Sequence, residues 1–190
     1  RSFGNDSAKV AALSQKVLDG LHEENVYGVI KHFPGHGATA GDTHEGYAYT
    51  DKSLEELEQQ ELVPFQNAIE NHIAIIMAGH ISVPNVTGDN TPSSLSKIMI
   101  TDVLREKMGF DGIVITDALN MGAISQHYSS AEVSVKVIEA GGDMLLMPEN
   151  FQEAYQGILE AVQNGTLTEE RIDESVRRIL KVKEKLTAED

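Results

Sequence analysis

The sequence predicts an α/β fold, read as part of a (β/α)8 TIM-like barrel that covers about the last four strands and their helices. Three observations predict it. Four short apolar runs, VYGVI (26–30), IAIIMAG (73–79), GIVIT (112–116) and DMLLM (143–147), are continuous rather than alternating. Such runs are expected of strands covered on both faces in a parallel sheet. Helical patterns separate them at roughly 30 to 45 residues per unit, the spacing of right-handed βαβ crossovers. Four parallel strands alone would leave two unprotected edges. The economical reading therefore takes the remaining strands from sequence before Arg1 or from another chain, with a small doubly wound sheet as the alternative.

The elements follow in order. Residues 7–21 carry Val10, Leu13, Val17, Leu18 and Leu21 at helical spacing and lead into the first apolar run. Ser53-Leu54-Glu55-Glu56 is a capping-box pattern opening a helix with Leu57, Leu62, Phe65 and Ile69 on one side. A helix over 96–108 should end at Gly109, and one over 131–140 at Gly141-Gly142. Asn150 is expected to cap a helix reaching about Gln163, and Thr168 a last one bearing Ile172, Val176, Ile179 and Leu180. The chain, 1–190, reads as one unit without an internal repeat. It opens at Arg1 with no Met, and is expected to begin inside a longer protein whose N-terminal half of the barrel is absent here.

Composition removes several classes of function. A formal net charge of −15 offers no basic patch to release counterions, which argues against nucleic acid. The acidity reads as a solvated helical surface. The absence of cysteine excludes disulfides and thiolate metal sites, but leaves the compartment open between bacterial cytoplasm and cell exterior. No apolar run approaches the roughly 18 residues that a membrane span needs.

Reactive side chains stand at the C-terminal ends of three runs. VYGVI leads into Lys31-His32 and the segment KHFPGHGATAGDTH (31–44), IAIIMAG into His80, and GIVIT into Asp117. In α/β barrels the loops at this end of the strands build the site. His32, His36, His44, His80, Asp42 and Asp117 are all possible zinc ligands, yet none falls in an HExxH or related spacing, so no metal or cofactor is expected. PGHG lacks the GxxxxGK[ST] pattern of a phosphate cradle. His36 reads as turn architecture, and His80 as a structural residue that lines the pocket floor or bonds to backbone.

These residues carry a family resemblance. KHFPGHG, followed five residues later by Asp42-Thr43-His44, resembles the signature of the bacterial β-N-acetylhexosaminidases of glycoside hydrolase family 3, in particular the β-N-acetylglucosaminidases of cell-wall recycling. RSFGND, MAGHISVP (77–84), SSLS (93–96), GFDGIVITDALNMGAI (109–124) and GGDMLLMP (141–148) agree in order and approximate spacing, so the resemblance spans essentially the whole chain. It implies retaining hydrolysis of a terminal, non-reducing β-linked N-acetylglucosamine. Asp117 would be the nucleophile and His44 the acid/base, oriented by Asp42. Lys31 and His32 would hold sugar hydroxyls, and Arg1 would contact the sugar. An imidazole with a reference pKa of about 6.5 can give and take a proton near neutral pH. The loop from Gly35 to Thr43 is expected to carry His44 over the sugar on binding. The partners implied are a carbohydrate containing N-acetylglucosamine and the missing half-barrel. The alternatives are a β-glucosidase or other exo-glycosidase of the family, and a non-catalytic half-barrel that serves binding or assembly.

Overall fold

The computed structural model describes residues 3–39 and 48–187. The chain runs α1 (Ser7–Glu23), β1 (Val29–Phe33), β2 (Ala48–Tyr49), α2 (Leu54–Gln59), α3 (Val63–Glu70), β3 (Ile75–Ala78), β4 (Ile81–Ser82) and α4 (Pro84–Thr87). A 3-10 turn (Ser93–Leu95) and a π-helical segment (Ile98–Lys107) follow. The chain then continues through β5 (Ile113–Ala118), α5 (Gly122–Ser125), α6 (Ser130–Ala140), β6 (Met144–Leu146), α7 (Phe151–Gln163) and α8 (Glu169–Thr187).

The principal sheet is parallel throughout, in the order β1-β3-β5-β6. Its strand order never reverses, as in a barrel segment; a doubly wound sheet has a switch point at which the order turns back. The two-residue strands β2 and β4 form a separate parallel pair that periodicity did not foretell.

The local signals hold at the helix starts. Ser53 and Glu56 form a complete capping box, as do Ser129 and Glu132 at the start of α6. Asn150 caps α7 by accepting from the Glu153 N–H, and Thr168 Oγ1 accepts from the Arg171 N–H.

Three expectations need correction. The helix opened by Ser53 is two helices, α2 and α3, because Pro64 has no N–H to give and its ring would collide with the carbonyl four residues back. The first strand is Val29–Phe33, displaced from 26–30, so Lys31 and His32 lie within it rather than after it. The outer strands are also not covered on both faces: Val29 of β1 is 39% exposed and Met144 of β6 is 37% exposed. These two strands are the edges of the sheet.

Helices and sheet enclose the main core on one side of the strands. Phe33, Leu57, Leu62, Phe65, Ile76, Met99, Ile100, Leu104 and Val114 are buried together there. Each such side chain contributes roughly 1.5–3 kcal/mol on leaving water. Phe33 meets Phe65 edge to face, with ring centroids 5.5 Å apart. This contact anchors the strand that carries Lys31 and His32 onto α3. Along β5 the alternation sends Val114 and Thr116 to the buried face. Ile115 and Asp117 go to the opposite, partly open face, where Ile75 and Met77 of β3 are also half-buried.

Candidate active site

Three strand ends converge as the sequence predicts. His32 on β1, His80 two residues past β3, and Asp117 on β5 stand at the C-terminal end of the sheet. His32 Nε2 lies 3.5 Å from Asp117 Oδ2, and both side chains are mostly but not wholly shielded. The other carboxylate oxygen, Oδ1, accepts a hydrogen bond from the Ala118 N–H at 2.8 Å. One oxygen is thereby tied to backbone, while the other faces the imidazole. Lys31, the neighbour of His32, is exposed.

The PGHG turn is held from below. Gly35 has φ +134°, a region that essentially only glycine enters. A Cβ there would stand 2.8 Å from Glu61 Cβ, so a side chain is excluded by space as well. Glu61 is held in turn by Lys52 Nζ at 2.6 Å. Neither residue stood out in the sequence, because a Lys–Glu pair nine positions apart carries no motif. Within the turn, the Thr39 hydroxyl donates to the His36 carbonyl oxygen at 2.8 Å and lies 2.9 Å from His36 Nδ1. His36 is therefore turn architecture, as expected, although its ring also sits edge-on to His32 at 5.9 Å.

His80 is only 1% exposed. Its Nδ1 lies 2.8 Å from Ser94 Oγ and its Nε2 3.0 Å from the Ala118 carbonyl oxygen. This agrees with the structural reading of His80, and it adds Ser94, which the sequence marked only as part of SSLS. Arg1, Asp42, His44 and residues 40–43 of the loop expected to carry His44 lie outside the described residues. Among the described residues, no three His, Asp or Glu side chains converge as a metal site would require. No described helix is long and apolar enough to cross a membrane.

Both imidazoles are poised to be neutral. Burial lowers the His80 pKa, against the opposing pull of the Ala118 carbonyl and Asp117. Burial likewise lowers that of His32, with Asp117 opposing and Lys31, His36 and His80 adding to the decrease. Burial thus favours the neutral form of the His32 ring where it faces Asp117. Histidines depressed in the fold stay neutral while their unfolded counterparts take up protons, so the stability they lend is present above the unfolded value and lost on acidification. We expect the unfolding midpoint to fall as the pH drops below about 6.5. Thermal melts across that range should show a shallower fall in His80→Gln; an unchanged slope would remove His80 as a contributor.

The model of the glycosyl hydrolase family 3 N-terminal domain matches residues 1–182. A glycoside hydrolase family 3 β-N-acetylglucosaminidase structure from Paenibacillus sp. str. FPU-7 is 36% identical and superposes with a TM-score of 0.95, covering 100% of this chain and 36% of that one. The β-N-acetylglucosaminidase/β-glucosidase of Cellulomonas fimi is 30% identical over 98% of this chain and 35% of its own length. The β-hexosaminidase LpqI of Mycobacterium tuberculosis (strain ATCC 25618 / H37Rv) is 35% identical over 96% of this chain and 48% of its own. The chain thus spans about a third to a half of the length of the curated relatives it matches.

Proposed function

Because the chain belongs to glycoside hydrolase family 3, we propose that it is the site-bearing part of a retaining exo-glycosidase that removes terminal, non-reducing β-linked N-acetylglucosamine. Muropeptide or chitin-type fragments are the substrate class. The observation that carries this reading is Asp117 at the end of β5, with one oxygen tied to the Ala118 N–H and the other facing His32.

Retention of configuration takes two displacements at the anomeric carbon. Asp117 attacks that carbon and forms a glycosyl ester as the bond to the leaving oxygen breaks, while His44 gives that oxygen its proton. His44 then takes a proton from water, which attacks the same carbon and releases Asp117 as a carboxylate. Asp42 orients His44 and stabilises its imidazolium form. Lys31 and His32 hold sugar hydroxyls, and Arg1 contacts the sugar.

The edges of the sheet support the half-barrel reading, in which this chain is the C-terminal half of the catalytic domain. Leu13, Val17 and Val29 are exposed at one edge; Met144, Phe151, Tyr155 and Leu159 are exposed at the other. Apolar edges of this kind are closed in a barrel by further strand–helix units.

The relative named for both activities favours one second reading, a β-glucosidase. Aryl N-acetylglucosaminide and aryl glucoside turnover, measured side by side on the full-length protein, separates the two. We expect kcat/KM to favour the N-acetylglucosaminide by more than about 10²-fold, since a site built around the acetamido group leaves polar groups unpaired without it. Equal rates would favour the dual activity.

A further inference from the structure

The mechanism leaves His80 unused, although it is the most deeply buried imidazole near Asp117. Its hydrogen bonds fix its tautomer. The Ala118 carbonyl oxygen can only accept, so Nε2 must carry the proton. Nδ1 is then the acceptor, and Ser94 Oγ must donate to it. The bonds run in one direction, from Ser94 through His80 to Ala118.

The recipient of that last bond is next to the nucleophile. The β3–β5 register pairs Ala78 with Thr116, so the following step of the same register brings position 80 opposite Ala118. β3 ends at Ala78, and a side chain rather than a backbone N–H supplies the donor. The Ala118–Leu119 peptide is consequently held on both sides: its carbonyl by His80, and its N–H by the Leu146 carbonyl of β6 at 2.9 Å. The preceding peptide directs the Ala118 N–H onto Asp117 Oδ1.

We infer that His80 is a positioning residue for Asp117. As the neutral Nε2–H tautomer it clamps the Ala118–Leu119 peptide, so that Oδ1 stays bound to backbone and Oδ2 is the oxygen presented to the sugar. The inference rests on the assignment of Asp117 as nucleophile. His80 itself touches neither sugar nor reacting atoms; it acts through the peptide that bears on the carboxylate.

The test compares His80→Met, His80→Gln and Ser94→Ala in the full-length protein, with Asp117→Asn in parallel. Methionine fills the space without a donor, whereas glutamine can still donate to the Ala118 carbonyl. With an aryl N-acetylglucosaminide, His80→Met should lower kcat by about 10²-fold, the cost of a displaced reacting group, with KM within about twofold of wild type. His80→Gln should restore most of that loss, and Ser94→Ala should fall between. Wild-type kcat in His80→Met, or a loss that only follows the unfolded fraction and that glutamine does not rescue, overturns the proposal. If Asp117→Asn keeps full activity, the nucleophile assignment fails instead. A second measurement needs no turnover: ¹⁵N shifts of the His80 ring should show Nε2 protonated and Nδ1 bare. The opposite tautomer cannot donate to Ala118 and overturns the proposal by itself.

Discussion

Asp117→Asn is expected to lower kcat by about four orders of magnitude, the scale on which removal of a nucleophile acts in a covalent mechanism. The substitution leaves the shape of the site nearly intact. An asparagine oxygen can still accept from the Ala118 N–H, and the side chain still faces His32. An amide oxygen does not form the glycosyl ester, however, so the first displacement is lost while sugar binding is retained. KM should accordingly change much less than kcat. The companion measurement is mass spectrometry of the wild-type protein after reaction with a mechanism-based fluoro-sugar. The adduct should map to the peptide containing Asp117. Labelling elsewhere, or kcat in the variant within tenfold of wild type, would assign the nucleophile to another group.

The largest effect on stability should come from a residue with no part in the chemistry. Asp143, immediately before β6, has a side chain with no solvent exposure. Its Oδ2 accepts from Arg105 Nη2 at 2.6 Å and from the Val114 N–H at 2.9 Å. Its Oδ1 accepts from Ser175 Oγ at 2.6 Å and Arg178 Nη1 at 3.0 Å, with Arg171 Nη2 at 3.9 Å. One carboxylate thus holds the π-helical segment, β5 and α8 together, and separates three guanidinium groups. Burial pushes the Arg105 and Arg171 pKa values down, against the pull of Asp143.

Removing the carboxylate leaves buried positive charges facing one another, so Asp143→Ala should cost about 3–5 kcal/mol. Chemical denaturation of the full-length protein measures this directly, and Asp111→Ala is the control. Asp111 also pairs with a cation, Lys181 at 3.1 Å, but is 87% exposed, and a pair in water contributes little. Equal effects from the two substitutions would refute the role given to Asp143.

Much of the candidate site is legible before folding, because its residues sit beside strong local signals. Apolar runs mark the strands, with the first displaced along the chain, and Lys31, His32, His80 and Asp117 stand at the end where barrels place their chemistry. Ser53, Asn150 and Thr168 announce helix starts, since a cap is a contact between residues three apart. Other features are invisible for the complementary reason. Ser94 is fourteen residues from His80, and Ala118 thirty-eight. Asp143 finds Arg105 across thirty-eight positions and Arg178 across thirty-five. A serine or arginine at such distances has no periodicity to betray its partner.

Residue pattern sufficed for the α/β class, the capped helix starts, the set of side chains at the strand ends and the family to which they belong. Each depends on short-range patterns: the 3.6-residue turn, the stiff apolar run, the motif in a single loop. Folding supplied the uninterrupted order β1-β3-β5-β6, the identity of the edge strands, and the atoms that each of two imidazoles meets. His32 faces the carboxylate of Asp117, whereas His80 is buried and bonded to the Ala118 carbonyl oxygen. Both are histidines at the end of an apolar run, and the motifs around them name no partners. Burial and hydrogen-bond partners exist only once strands far apart in the chain have been brought side by side.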